Sequence, residues 1–262
     1  MNSVQLKPVL LMTLLATVFV GCQRHDLPKK DQEAAASAPV VAEAPSVPLL
    51  QVKAVNVANY HKNVCEKEGC TQFVLQTVQS GVSWIDDYFN DRIRKAEPIA
   101  FAEHAPQKVD VSEGSQAGLN QQNMSVRYIG QHYNIATFAI YSYSYSAGAA
   151  HGMYHVEYVN FDLKTHKRLS LQDILTKGAE QKVLDSLYDA NINWLYNHKI
   201  EKAQLKLSDN FYYGPNGLMF VYPLYELASY AEGMSELKLP YESAGEVIQA
   251  QYLPSLPKYH NQ

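Results

Sequence analysis

Residues 141–146 read Tyr-Ser-Tyr-Ser-Tyr-Ser, and this repeat of two constrains the fold more than any other feature of the chain. In an extended strand successive side chains point to opposite faces, so the three tyrosines share one face and the three serines the other. A helix would scatter the same residues around its circumference. Strand signals continue on both sides. Ser125 to Ile129 pairs with Tyr133 to Ser146 through a turn at Gly130-Gln131, and Met153 to Leu163 runs until the polar stretch Lys164 to Lys167. Upstream, Val52 to Tyr60 and Thr71 to Val78 flank a segment that holds two cysteines. Downstream, Phe211 to Tyr213 and Leu218 to Tyr222 face each other across Gly214-Pro215-Asn216-Gly217.

Two segments have helical spacing instead. Trp84, Ile85, Tyr88, Phe89 and Ile93 recur behind Ser80 or Ser83 as cap, with Pro98 just beyond the end. A second helix is predicted from Ala179 to Lys199, with Val183, Leu184, Leu187, Ile192 and Leu195 on its apolar side; Ser170-Leu171-Gln172-Asp173 has the form of a capping box that leads into it. Antiparallel strands with segregated helices make an α+β domain, mostly antiparallel sheet with two main helices.

The N-terminus carries a different signal. Lys7 precedes an apolar run from Val9 to Val20, short of the about twenty residues that cross a bilayer as a helix. The run ends at Phe19-Val20-Gly21-Cys22, which resembles the lipobox of bacterial lipoproteins with Phe19 in place of the usual leucine. The rival is an ordinary secretory signal, but no A-x-A-like cleavage site is correctly placed. The expectation is a signal peptide over residues 1–21, lipidation at Cys22, and a domain tethered in the cell envelope. Gln23 after the cysteine, where aspartate would retain the protein at the inner membrane, implies the outer membrane of a Gram-negative host, facing the periplasm. Residues 22–48 are rich in Ala, Pro, Val, Glu and Lys and lack aromatic side chains. They read as a tether, extended by at most about 3.1 Å per residue, ahead of a domain over 49–262.

Assigning Cys22 to lipid leaves Cys65 and Cys70, which in an oxidising compartment pair as a disulfide across a hairpin neck, with Gly69 supplying a positive φ. A redox or metal site is the alternative, although it would call for C-x-x-C spacing or further ligands. Loss of Lys7 with the signal moves the net charge from −4 to −5. This mildly acidic balance without a long basic run argues against nucleic acid and against anionic headgroups, and suits a cationic partner or plain solubility.

Ala147-Gly148-Ala149-Ala150-His151-Gly152 sets one histidine among small residues between two strands. His151 is either a ligand or general base, or a structural residue bonded to backbone at a tight crossing; no second catalytic group is tied to it by spacing. His151 and His155 are four apart, which on a strand separates them by about 13 Å, so no metal is expected. Asp86, Asp87 and Asp91 read as a solvated helix flank. Neither a G-x-S-x-G elbow nor a P-loop nor H-E-x-x-H is present, and no cofactor is implied. Trp84 and the tyrosines are mostly core and sheet packing, with the Tyr141 to Tyr145 ladder reserved for a binding surface.

The blocks Tyr143 to Gly152, Asn160-Phe161-Asp162-Leu163 and Leu169 to Asp173 resemble the RsiV-type domain of unknown function, as do Phe211-Tyr212, Gly217 to Ala228, Ala231-Glu232-Gly233 and Leu239-Pro240-Tyr241. The best-understood member of that family is an anti-sigma factor whose extracytoplasmic domain binds lysozyme; related domains accompany catalytic modules in peptidoglycan deacetylases without carrying the active site. The resemblance implies a non-catalytic recognition domain for a lysozyme-like enzyme or cell-wall glycan. The expected cytoplasmic segment and membrane span of the anti-sigma member are missing, so sigma-factor sequestration is not expected. Candidate binding residues are Tyr143, Tyr145, His151, Tyr225 and Glu226. The alternatives are an envelope enzyme using His151 with Glu226 or an aspartate, and a scaffold for another envelope protein.

Overall fold

A computed structural model of the chain describes residues 47–66, 69–103 and 119–253. The segment read as a signal peptide, Cys22 and most of the tether lie outside the described residues. The architecture is α+β and mostly antiparallel, as the strand periodicity predicts.

The larger sheet is built on β3 (Gly69–Gln79), where Phe73, Leu75 and Thr77 are buried and Val74 and Gln76 exposed. Two short strands, β1 (Lys53–Asn56) and β2 (Asn63–Glu66), pair with it antiparallel. The expected strand over Val52 to Tyr60 is therefore only four residues long, and it is β2 that forms the cysteine hairpin. Cys65 lies opposite Cys70 and is disulfide-bonded to it, and Gly69 has φ +140°. The other neighbour of β3 is β4 (Leu119–His132), which runs parallel to it, the one parallel pair in the sheet among the described residues. Then follow β5 (Ile135–Tyr145), β6 (Met153–Asp162) and the short β7 (Lys167–Leu169), all antiparallel.

The β4–β5 turn is displaced from its expected place. Gly130 and Gln131 stay in the ladder, Ile129 forms a bulge between Tyr128 and Gly130, and the chain reverses at Tyr133-Asn134 with Tyr133 at φ +53°. One extra residue in β4 shifts the register, which is how a bulge moves a turn without breaking the strand. The amide of Gln131 donates to the carbonyl oxygens of Pro48 and Tyr133, and its oxygen accepts the Leu50 N–H, pinning the start of the described chain to this hairpin.

α1 (Ser83–Ala96) covers one face of the sheet. Ile85, Phe89 and Ile93, four apart, are fully buried, and Phe89 meets Phe138 and Phe161 at centroid distances of 5.0 and 5.8 Å. Each such side chain stabilises the fold by about 1.5–3 kcal/mol. Neither serine caps this helix in the expected way: Val82 holds the cap position without a side-chain bond. Instead Asp86 accepts from both the Ser80 N–H (2.8 Å) and hydroxyl (2.7 Å), while the Ser80 oxygen accepts the Val82 N–H. Asp86 is thus part of the helix start rather than of a solvated flank; Asp87 and Asp91 are exposed. A second, short helix α2 (Pro98–Phe101) follows, and the Trp84 ring packs edge-on against Phe161 at 5.1 Å in this same core.

The rest of the chain makes a second core on a three-stranded antiparallel sheet in the order β10 (Ser235–Pro240), β9 (Gly217–Tyr222) and β8 (Phe211–Gly214). Gly217 is required there, because a Cβ would lie 2.3 Å from the Leu239 carbonyl oxygen. The Ser170–Asp173 capping box forms, but it opens its own single turn, α3 (Leu171–Ile174). Lys167 and the Ser170 hydroxyl hold the Asp173 carboxyl down at about 2. The single helix expected over Ala179 to Lys199 is two, α4 (Glu180–Ala190) and α5 (Ile192–Asn197). Asn191 breaks it: its amide donates to the Lys238 carbonyl (2.9 Å) and its oxygen accepts the Lys238 N–H (3.2 Å), so the side chain pairs with the edge of β10 as a strand residue would. One more turn, α6 (Tyr241–Ala244), closes the core.

The two sheets meet at the edge of β6. Asn210 accepts the Tyr158 N–H and donates to the Val156 carbonyl oxygen, both at 2.7 Å, and Asn160 donates to the Phe211 carbonyl oxygen at 2.8 Å. Bare strand edges invite association, and here side-chain amides occupy them.

Candidate functional site

Strand parity places the tyrosine ladder on the face of the large sheet opposite α1. The lower part of that face, around Ile135 and Asn160, is covered by the second core. The upper part stays open. In register across four strands lie Val74, Asn123, Tyr143 and Tyr154, and beside them Gln76, Ser125, Tyr141 and Val156. The first three of each row and Tyr154 line a cavity of about 410 Å³. A second of about 330 Å³ continues it past Tyr143 and Tyr154 to Met153, Pro223 and Leu224. The two share Ser142, Tyr143, Tyr154 and His155, so together they form one groove that crosses the strands from β3 to the segment after β9. Its size is that of small-molecule sites, which span about 300–1,000 Å³.

The blocks that stood apart in the sequence converge at the β6 end of this groove. Gly152 lies directly on the Tyr143 ring, where a Cβ would come within 2.4 Å of the ring's far edge. The His151 ring stacks on Tyr230 at 4.1 Å, and the Tyr230 hydroxyl donates to the Gly152 carbonyl oxygen at 2.8 Å. Tyr225 and Tyr154 lie 5.8 and 6.4 Å from the same ring. A Cβ on Gly233, which sits at φ +82°, would be 2.7 Å from the Tyr154 hydroxyl. His151 and Tyr225 are therefore brought together around Tyr230 and connected to Tyr143 through Gly152, while Tyr145 is half-buried and lines neither cavity and Glu226 is exposed. No hydrogen bond joins His151 to Glu226 among the described residues. His151 is itself exposed, and its Nδ1 is 3.0 Å from the carbonyl oxygen of Gly152.

Sequence reasoning missed Tyr154 and Tyr230. Tyr154 was legible, since it shares the β6 parity of Val156; Tyr230 sits in a short turn, Tyr230–Glu232, which has no periodicity to read. That turn is tied down by Glu232, whose carboxylate is 2.6 Å from His198 Nε2, while His198 Nδ1 is 2.8 Å from the Trp194 carbonyl oxygen and the imidazole stacks on Trp194. Both ring nitrogens face acceptors, which only the doubly protonated imidazolium satisfies. The bonds to Glu232 and to the Trp194 carbonyl accordingly raise the His198 pKa.

The electrostatics of the groove are quiet. The two cavities are lined by amides, hydroxyls, tyrosine rings and aliphatic side chains, with no carboxylate, lysine or arginine; His155 borders both, but it has the β6 parity of Glu157 on the other face, and burial lowers its pKa. Arg127 stands at one end, its guanidinium 4.8 Å from the Tyr141 ring centre. Beyond it Tyr158 stacks on Tyr212 at 4.3 Å; burial and then the Glu236 carboxylate push the Tyr158 hydroxyl up to about 12. Glu157, on the α1 side of the sheet, is occupied by Arg92 and Arg168. Among the described residues no three His, Cys, Asp or Glu side chains cluster as metal ligands would.

Residues 165–242 match a family described as protein of unknown function, DUF3298. The DUF3298 match runs from the β6–β7 turn into α6, so it covers the second core and its three-stranded sheet. A DUF3298 family protein from Pseudomonas aeruginosa PAO1 is similar in fold, at 22% identity and TM-score 0.60 over 80% of this chain and 99% of that one. A DUF3298 family member from Bacteroides fragilis NCTC 9343 is also similar, at 17% identity and TM-score 0.52 over 77% and 94% of the two chains. Both likenesses extend the DUF3298 comparison to the fold of the larger sheet as well. No curated protein matches the chain.

Proposed function

We propose that this chain is a lipid-anchored recognition domain of the bacterial envelope, non-catalytic, which binds cell-wall glycan or a lysozyme-like enzyme through the tyrosine groove. The observation that carries the reading is the groove itself: a preformed, open concavity lined by Tyr141, Tyr143 and Tyr154, with amides and hydroxyls between them. Rigid aromatic rings with polar tips give large contact area at little conformational cost, as recognition surfaces require. The geometry around His151 supports the non-catalytic side of the reading. The envelope-enzyme alternative needs a carboxylate partner for His151; the Gly152 carbonyl oxygen and the Tyr230 ring hold the imidazole, and no hydrogen bond joins it to Glu226 or to an aspartate among the described residues.

Anchoring rests on the lipobox-like Phe19-Val20-Gly21-Cys22. Two or more acyl chains hold a soluble domain at a bilayer because each buried methylene contributes about 0.8 kcal/mol. The full chain should sediment with envelope membranes and Cys22→Ala should not. The membrane-bound full chain should also retain insoluble wall fragments or c-type lysozyme. Retention of neither, at low salt where charge attraction is strongest, overturns the recognition reading.

A further inference from the structure

The residues of the groove narrow what can occupy it. A cationic protein docks against carboxylates, because complementary charge steers and registers such partners. The groove offers none. Phosphorylated or carboxylated ligands call for lysine, arginine or an array of backbone N–H groups, and among the lining residues there is no fixed cation either. What the floor does present is a pair of tyrosine rings, Tyr143 and Tyr154, side by side on β5 and β6, with the amides of Gln76 and Asn123 on the strands opposite.

Several amides of the fold are already engaged. Asn160, Asn191 and Asn210 are each committed to backbone groups. The side chains of Gln76 and Asn123 make no hydrogen bond among the described residues, and both face the cavity. An amide carries two donors and an acceptor with two lone pairs, so it pairs with hydroxyl groups in either direction. Aromatic rings beside unengaged amides match a ligand with apolar C–H faces and a rim of hydroxyls. The elongated shape, across four strands and on past Pro223 and Leu224, suits a chain of several units rather than one compact molecule.

We infer that the groove binds an uncharged sugar chain laid across β3 to β6, with pyranose faces against Tyr143 and Tyr154 and ring hydroxyls held by Gln76 and Asn123. This rests on the recognition reading above and names the occupant. Gly152 has a part in it: its missing side chain leaves room for the outer edge of the Tyr143 ring, which a Cβ would approach to 2.4 Å. Tyr154 has Gly233 beside its hydroxyl, where a Cβ would lie 2.7 Å away, and Tyr230 edge-on at 6.4 Å.

The test is calorimetric titration of the full chain in detergent with two neutral β-1,4 tetrasaccharides, one of glucose and one of N-acetylglucosamine. Binding of at least one, unchanged between low and high salt, is the expected result. Tyr154→Ala should weaken it about tenfold, the upper range for loss of an aromatic contact. Asn123→Ala and Gln76→Ala should each weaken it about fivefold, as for one neutral hydrogen bond. Gln76 and Asn123 bond to no other side chain, so an unchanged thermal midpoint in those two variants shows that folding is not the cause. Failure of both sugars to bind, or binding that none of the three substitutions alters, overturns the inference. Retention of lysozyme that Tyr154→Ala abolishes assigns the groove to a protein and also overturns it, while leaving the recognition reading standing. Retention of nothing removes both.

Discussion

Asn210→Ala should separate the two sheets energetically, and the structure sets the size of the effect. The side chain makes two hydrogen bonds to the edge of β6, to the Tyr158 N–H and the Val156 carbonyl oxygen, each 2.7 Å. In the alanine variant both backbone groups lose their partner. Were they sealed from water, each would cost about 1–3 kcal/mol as an unsatisfied buried group. Asn210 and Val156 are only half-buried, so water enters and the lower figure applies, about 1 kcal/mol each and about 2 kcal/mol in total. For a domain of this size that lowers the thermal midpoint by about 4–8 °C. Asn210→Asp keeps the acceptor for Tyr158 but sets an oxygen against the Val156 carbonyl oxygen, so it should be at least as destabilising. Thermal and urea unfolding followed by far-ultraviolet circular dichroism measure both. If Asn210→Ala stays within about 0.5 kcal/mol of the parent, water replaces the amide without loss and the edge clamp is not what joins the sheets.

The His198–Glu232 pair makes stability depend on pH. Its hydrogen bonds raise the folded His198 pKa and lower that of Glu232. A raised histidine contributes stability below its ordinary value of about 6.5, which is lost as pH rises through the folded value; the lowered carboxyl contributes above about 4.5. The midpoint gap between parent and Glu232→Gln should therefore be open near pH 6 and closed by about pH 9, and a gap that widens with alkali contradicts the sign. Gly152→Ala places a Cβ within 2.4 Å of the Tyr143 ring. The ring should swing off the floor at a cost of about 1 kcal/mol, read as altered near-ultraviolet tyrosine dichroism and lost sugar binding; an unchanged spectrum counts against the packing described.

What the sequence made legible followed from short-range periodicity. The Tyr-Ser alternation located β5 and its two faces, and the spacing of Ile85, Phe89 and Ile93 located α1, because each pattern is local and is fixed by the geometry of one element. Cys65 and Cys70 paired as the hairpin reading required. The misplacements share a different cause. Residues 179–199 have unbroken helical spacing, yet Asn191 leaves the helix because its amide is used by Lys238, 47 residues away. The expected turn at Gly130-Gln131 moved with the bulge at Ile129, which keeps Gln131 in the ladder, and its amide serves the segment at Val47 to Leu50, more than 80 residues away. In both cases a polar side chain satisfied a distant strand or chain segment, and such long-range demands override local propensity.

The same long-range logic explains why the site was only half visible. Tyr143 and His151 lie in one block and could be read as neighbours, but the ring that unites His151 with Tyr225 is Tyr230, on a turn that reaches them only because the second sheet is clamped to the edge of β6. Gly152 stands in a run of small residues between two strands, and Gly233 carries no local signal of its own. Their role is spatial: each removes a Cβ that would collide with a tyrosine, Tyr143 in one case and Tyr154 in the other. Small residues and aromatics that were widely separated in the chain thus turn out to be one packing unit, and that unit forms the floor of the groove. A substitution at Gly152 therefore acts on the groove first and on the core second, since the Tyr143 ring borders the cavity, whereas at Gly233 the φ of +82° adds backbone strain to the collision with Tyr154.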